Sequence, residues 1–358
     1  MLFICMDGCD PRYLAHSDIP NLKRMMQSGM YREGRCVMPS VTNVNNSSIA
    51  TASFPSEHGI TGNYYYDRAT GQGTYMESPE FLLRPTIFEK AHALGYRTAF
   101  LCAKDKLREL LRKGADFAAS AEQAPAELQS IAGPKPDVYS PDLNYWAFRA
   151  ARHLLRTGYN FVFLSTTDYM MHTYAPEEAP SQEHMHEVDK LLGAIAEDHP
   201  GIEIYFTADH GMNAKSKAVD LGRLLAREGI AAEAVPIIKD RYVKHHSNLG
   251  GSSYIYVKNS RHVDKAASLL RGHTAIEQVL SNQQAASRFQ LKSDRIGDLL
   301  ALAKKDWVVG DLDVVEEDVK IRSHGSLHES TVPILCYGRK VNGADYEYNL
   351  DVTRKFRF

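Results

Sequence analysis

The chain has 358 residues, with 42 basic against 44 acidic side chains, a formal charge of −2, and 44% hydrophobic and 24% charged residues. That is the composition of a soluble globular protein, large enough for one big domain with an insertion or two domains sharing a core. The charge balance gives no electrostatic basis for a nucleic acid or an anionic membrane as partner, and no run approaches the roughly 20 apolar residues of a membrane helix.

The N-terminal MLFICMDGCD meets carboxylates too early for a signal peptide. LFICM (2–6) reads as a buried strand, and IPNLKRMMQSGM (19–30) as a helix with Gly29 near its end. RTAFLC (97–102), YNFVFLS (159–165) and IEIYFTA (202–208) are further strand-like runs, each after a helical pattern: PTIFEKAHALG, NYWAFRAARHLLRTG and HMHEVDKLLGAIAEDHPG. This alternation predicts an α/β sheet with helices on both faces, whose sites form beyond the carboxyl ends of the strands. Cys5, Cys9, Cys36, Cys102 and Cys336 are scattered without a CxxC pair, several inside strand-like runs, as expected of core thiols in a reducing cytoplasm.

Three of the strand-like runs lead into acids. LFICM reaches Asp7, YNFVFLSTT reaches Asp168 with His172 four residues on, and IEIYFTA reaches Asp209-His210. One such carboxylate is ordinarily a turn or cap residue. Three together, two with a nearby histidine, have the oxygen and nitrogen donors that suit zinc or a similar divalent ion. Asp168 and His172 share a face if their segment is helical. RSHGSLHES supplies His324 and His328 far downstream. In VMPSVTNVNNSSIATASF, Thr42 stands in a polar run before the apolar IATASF, consistent with a helix N-terminus, where backbone N–H groups favour an anion. A cap role is the ordinary one for such a threonine. A nearby cation would lower its hydroxyl pKa enough to make it a nucleophile.

The order Asp7, Thr42, Asn63, Asp168-x-x-x-His172, Asp209-His210 and a late His-Gly resembles the alkaline phosphatase superfamily. Within it the chain resembles the nucleotide pyrophosphatase/phosphodiesterase-like branch, and more closely bacterial phosphonoacetate hydrolases, through VMPSVTNVNNSSIAT, GITGN, AKDKLRELL (103–111) and RSHGSLHESTVP (322–333). The likeness runs from Asp7 to about Pro333. It implies an alkaline-phosphatase-like α/β core with two zinc ions. One would be held by Asp7, Thr42, Asp209 and His210, the other by Asp168, His172 and His324. His324 is preferred over His328 because it directly precedes a glycine. The resemblance further implies Thr42 as nucleophile through a phosphothreonine, Asn63 donating to a phosphoryl oxygen, and Lys104 and Lys106 binding a substrate carboxylate.

A phosphonate's leaving atom is carbon, and cations at an adjacent carboxylate would stabilise the charge it receives. The lysine pair therefore points to hydrolysis of phosphonoacetate, or a related carboxylated phosphonate, to acetate and phosphate. Two other readings stand beside it: a nucleotide pyrophosphatase/phosphodiesterase with Tyr64, Tyr65, Tyr66 and Phe81 as a base slot, and a non-catalytic metal-binding protein. Expected partners are a small anionic phosphonate or phosphate ester, with room for a homodimer. The core is expected over 1–212 and 320–358, with an inserted α+β cap over 213–319. In the cap, GGSSYIYVKN reads as a strand, and HVDKAASLLRGH and DRIGDLLALAKK as helices. HHSNLGGSS (245–253) reads either as a loop facing the site or as a solvated turn.

Overall fold

The structure, a computed structural model, describes residues 1–241 and 247–356. A seven-stranded sheet runs in the order Met30–Arg35, Thr331–Tyr337, Ile204–Thr207, Leu2–Cys5, Phe161–Ser165, Thr98–Cys102, Phe117–Ser120. All its strands point the same way except Thr331–Tyr337, which pairs antiparallel with both neighbours. The central strands are apolar throughout because both faces are covered. Leu2 and Ile4 enter one core with Leu22, Met25, Trp146 and Leu192, from helices Pro20–Ser28, Asp142–Arg156 and Ala179–Asp198. Phe3 and Cys5 enter the other with Ile49, Phe88 and Leu107, from helices Thr42–Thr51, Ile87–Ala93 and Asp105–Leu111. Period-two alternation along one strand thus feeds two cores, and Phe3 stacks on Tyr205 across the sheet at 4.7 Å.

Local signals set most helix ends. Pro20 opens its helix at a position where a missing N–H costs nothing, and Gly29 closes it with its N–H on the Met25 carbonyl. Thr86 and Glu89 form a reciprocal capping box. The helix Thr42–Thr51 is different. Its sequence TNVNNSSIAT has no apolar stripe, yet Asn43 to Thr51 are all buried. The helix begins in the polar run, at Thr42, where the sequence predicts a helix N-terminus. Its polar side chains persist there because the fold gives them partners: Asn45 bonds the Val37 and Pro39 carbonyls, and Ser48 meets His58 at 2.8 Å.

A second sheet, antiparallel, runs Ala232–Pro236, Ser252–Val257, Leu299–Ala303, Ile276–Ser281, with the helix Val263–Gly272 among its packing partners. Ser252–Val257 is the expected strand, buried along its whole length. DRIGDLLALAKK is not helical. Its LLALA forms the strand Leu299–Ala303, fully buried between two neighbours, so tertiary pairing overrides the helix preference of Leu and Ala. Gly297 admits that pairing: a Cβ there would lie 2.6 Å from the Ile255 carbonyl oxygen. Asn213–Val219 joins Trp307–Val309 and Glu316–Ser323 in a three-stranded sheet.

All five cysteines are free and buried. Among the described residues no helix is long and apolar enough to cross a membrane.

Candidate active site

Pairing register explains why residues distant in sequence meet. Cys5 aligns with Ser165 and Thr207, and Ser165 with Cys102, so four adjacent strands end level. Asp7, Lys104, Asp168 and Asp209 follow those ends within three residues. All four reach the carboxyl edge of the sheet, where open α/β sheets place their sites. Gly8 makes the first turn possible: its φ is +71°, and a Cβ there would sit 3.0 Å from Asp168 Cβ.

Asp168 and His172 do share a helical face, on Tyr169–Thr173, with His172 Nε2 2.9 Å from Asp168 Oδ2. His210 Nε2 stands 3.3 Å from Asp7 Oδ1, 3.5 Å from Asp209 Oδ2 and 3.4 Å from Thr42 Oγ1. His324 Nε2 lies 3.7 Å from Asp168 Oδ2, and its ring stacks on that of His210 with centroids 3.6 Å apart. Donor atoms of Asp7, Asp209 and His210 lie within 4.8 Å of one another, as do those of Asp168, His210 and His324. His210 therefore touches both groups.

The imidazoles are oriented alike. Nδ1 faces the Arg322 carbonyl in His172 (2.7 Å), the Gly211 carbonyl in His210 (3.0 Å) and the Ser40 carbonyl in His324 (2.8 Å). A carbonyl only accepts, so each Nδ1 donates, and each Nε2 is the ring nitrogen turned toward the carboxylates. Asp7 Oδ1 is buried and accepts no hydrogen bond among the described residues. Burial, then the charges of Asp168 and Asp209, raise the Asp7 carboxyl well above its ordinary range. Burial, then His210 and His172, hold the His324 imidazole well below its own. Three crowded carboxylates and three imidazoles fit divalent metal ions by donor chemistry and by the crowding of like charge among the carboxylates.

Thr42 is the first residue of its helix, with Val41 at the cap position, so the threonine does not cap its own helix. Its hydroxyl faces His210. One helical turn on, Asn46 Nδ2 donates to the Thr42 carbonyl (3.2 Å) and towards Asp209 Oδ2 (3.4 Å), and Asn46 Oδ1 accepts from Ser165 Oγ (2.8 Å). Asn63 Oδ1 is buried without a hydrogen-bond partner among the described residues.

A small cleft joins Thr42, Asn63, Lys104 and Lys106 above Asp7, Asp168 and His324, with Ile238 and Asp240 on its wall. Lys104 Nζ is 3.7 Å from Asp168 Oδ1. Burial opposes the Lys104 charge, but Asp168, Asp240, Asp7 and Glu122 outweigh it and raise the pKa. Lys106 is paired with Asp240. A larger cleft of about 650 Å³ around Arg339 and Tyr346 contains none of these groups; chemistry, not size, marks the site.

His328 stays outside the cluster, with Nε2 2.6 Å from Glu277 Oε2. Tyr64 packs on Tyr75, Tyr65 on Phe81 and Tyr66 on Tyr256, and none of the four proposed slot aromatics lines the cleft. His245 and His246 lie outside the described residues. Of the rest of that run, Ser247 is exposed in a turn, while Gly251 N–H donates to the His324 carbonyl (2.8 Å) and Ser252 Oγ to that of Gly325 (2.6 Å). A Cβ at Gly251 would come within 2.5 Å of Ser326 Cβ, so glycine permits the approach. Sequence reasoning missed Asn46, Asp240, and the buried pair Lys215–Glu329 (2.8 Å) behind the His324 loop. Asn46 alone left a signal, its i,i+4 spacing from Thr42.

The model of the type I phosphodiesterase / nucleotide pyrophosphatase family matches residues 1–327. The crystal structure of phosphonoacetate hydrolase from Sinorhizobium meliloti 1021 in complex with phosphonoacetate is 34% identical, covering 99% of this chain and 94% of that one, with TM-score 0.91. Murine ectonucleotide pyrophosphatase / phosphodiesterase 5 shares the fold at 17% identity, with TM-score 0.68 and 92% of its chain covered. Among curated proteins, alkaline phosphatase PafA of Elizabethkingia meningoseptica is 37% identical over 71 residues, 19% of this chain and 13% of its own length. An uncharacterized pyrophosphatase/phosphodiesterase of Schizosaccharomyces pombe is 28% identical over 95 residues, 26% of this chain and 20% of its own length. The chain thus aligns with well under two thirds of those two curated relatives. With its family model spanning most of its length, the chain belongs to the type I phosphodiesterase / nucleotide pyrophosphatase family, and its fold is that of a phosphonoacetate hydrolase.

Proposed function

We propose that the protein hydrolyses the C–P bond of phosphonoacetate, or of a closely related carboxylated phosphonate, to a carboxylate such as acetate and to phosphate. The observation that carries this reading is the pair Lys104 and Lys106 in one cleft with Thr42 and the carboxylate–imidazole cluster. A phosphate ester has a stable oxygen leaving group and no need of two ammonium groups beyond the nucleophile. The Sinorhizobium meliloti enzyme, 34% identical to this chain, adds support, as does the absence of the four slot aromatics from the cleft wall among the described residues.

In this reading two divalent ions, zinc by donor type, would be held by Asp7, Thr42, Asp209 and His210 and by Asp168, His172 and His324, where they would lower the pKa of the Thr42 hydroxyl and of water and offset phosphoryl charge. Thr42 Oγ1 gives its proton to solvent water and bonds phosphorus while the C–P bond breaks. The electron pair passes to carbon and delocalises onto the adjacent carboxylate. Lys104 and Lys106 stabilise that growing negative charge, and Asn63 donates its amide N–H to a phosphoryl oxygen. Carbon takes up a proton and acetate departs. Water then attacks phosphorus, restoring Thr42 and releasing phosphate. Five buried thiols suit a reducing cytoplasm as the place of this reaction. The test is release of acetate and phosphate from phosphonoacetate, measured beside hydrolysis of a p-nitrophenyl phosphodiester. Turnover of the diester alone refutes the proposal in favour of a phosphodiesterase.

A further inference from the structure

Lys106 and Asp240 form an ion pair whose side chains are only 8% and 6% exposed. They come from different parts of the molecule. Lys106 stands in the first turn of the helix Asp105–Leu111, beside the main sheet. Asp240 follows the strand Ala232–Pro236 of the second sheet. Neighbouring contacts press the same segment against the core: Arg241 reaches Glu77 at 3.5 Å and lies over the Tyr75 ring at 4.7 Å. Asp240 itself is held by local bonds, its N–H to Asn248 Oδ1 (2.9 Å) and its Oδ1 to the Arg241 N–H (2.6 Å).

An ammonium this buried needs an anion, and Asp240 supplies it. Asp240 also lines the cleft that holds Thr42, Asn63 and Lys104. A substrate whose phosphorus lies at Thr42 and whose carboxylate lies at Lys106 brings that carboxylate beside Asp240, on the same cleft wall. The cleft wall already carries Asp7, Asp168 and Asp240, and a fourth carboxylate beside them would be repelled.

We propose that Asp240 is a built-in surrogate for the substrate carboxylate: it neutralises Lys106 in the free enzyme and is exchanged for the substrate on binding, releasing the segment Ile238–Arg241 from the core. The inference rests on the phosphonate reading above. It makes Asp240 a specificity-determining residue. A ligand lacking a carboxylate leaves Asp240 on Lys106 and gains nothing from the second lysine. A carboxylated ligand pays for the exchange through the fraction of time that Lys106 is uncovered.

The test uses zinc-loaded protein carrying Thr42→Ala, so that ligand is bound without turnover. Phosphonoacetate and methylphosphonate, which lacks the carboxylate, are titrated calorimetrically with Asp240 intact and with Asp240→Asn. If Lys106 is covered about nine-tenths of the time, Asp240→Asn tightens phosphonoacetate about tenfold, because apparent affinity scales with the competent fraction. Methylphosphonate should change much less, and in a Lys106→Ala background the selective gain should disappear. Equal tightening of both ligands overturns the proposal, since that is the general effect of removing a negative charge. Weaker phosphonoacetate binding overturns it too, because Asp240 then orients Lys106. A second measurement needs no change at Asp240: hydrogen exchange over residues 237–241 should quicken with phosphonoacetate and not with methylphosphonate, and slower exchange with phosphonoacetate overturns the release of that segment. If Thr42-intact protein releases no acetate from phosphonoacetate, the phosphonate reading fails, and this inference falls with it. If acetate is released but the two ligands respond alike, only the exchange fails.

Discussion

The pair Lys215–Glu329 offers a sharp test of how the site is held. Neither side chain has any solvent exposure, and Nζ lies 2.8 Å from Oε1. Lys215 is on the strand that follows His210, and Glu329 ends the turn that follows His324. Glu329 also accepts from Asn213 Nδ2 (2.8 Å), Ser326 N–H (3.0 Å) and Ser326 Oγ (2.6 Å), while its own carbonyl accepts from Gly211 N–H (2.7 Å). Burial works against the Glu329 charge, but Lys215 and these donors outweigh it and lower the pKa. Glu329→Ala would strip the carboxylate acceptor from Asn213 and Ser326, spare the backbone bond from Gly211, and leave the Lys215 ammonium bonded to the Lys305 carbonyl. Breaking a buried pair from one side costs about 3–5 kcal/mol, a large part of the roughly 5–15 kcal/mol that holds a domain folded. Lys215→Met removes one donor from a carboxylate that keeps three, and should cost less, about 1–3 kcal/mol. Urea denaturation of the metal-free proteins measures both. Because the network backs the loops of two imidazoles, Glu329→Ala should also weaken zinc about 10–100-fold in a chelator competition. The reasoning is wrong if Lys215→Met proves the costlier change, or if Glu329→Ala destabilises the fold while zinc affinity stays the same.

Other outcomes are expected at the centre itself. Thr42→Ala should abolish turnover yet keep the fold and much of the metal, and Thr42→Ser should retain part of the rate; near wild-type rates for Thr42→Ala would make water the attacking group. Purified protein should hold about two divalent ions per chain by elemental analysis, and Asp209→Asn should hold fewer, since an amide cannot balance the cation. Lys104→Ala should lower kcat on phosphonoacetate by about 10²–10³-fold, as for a lost oxyanion donor, and affect an aryl phosphate ester far less; equal losses on both would make the lysine structural. In metal-free protein the folded state keeps the Asp7 proton to a higher pH than the unfolded chain, whose carboxyl titrates near 3.8. Stability on this account is therefore lost as pH rises from 3.8 through the raised folded value, and a bound cation removes that loss. The rise in melting temperature on adding zinc should grow with pH across that window, and a flat or shrinking rise would count against the assignment.

The parts of this protein legible in its sequence are those where chemistry follows a strand directly. LFIC, FVFLS and IYFT are apolar enough to be read as buried strands, and Asp7, Asp168 and Asp209 stand immediately past their ends. The position of His324 is legible only through the resemblance, because nothing local distinguishes it from His328. LLALA reads as helix because its residues suit one, and only its two partner strands make it a strand. Asp240 and Glu329 are invisible for a related reason. Each matters through one partner more than 100 residues away, and an isolated carboxylate in a polar stretch carries no mark of that partner.

The reversed strand Thr331–Tyr337 begins where its neighbours finish. His324 therefore arrives from upstream of its strand, while the aspartates arrive from downstream of theirs, and both routes lead to the same edge. The 113 residues between His210 and His324 leave and re-enter the core one ring-stack apart. Closing a flexible loop costs only about 0.6 kcal/mol more for each doubling of its length. Away from Asn213, Lys215, Gly251 and Arg322, whose contacts hold the imidazole loops, that segment can change length at small entropic cost.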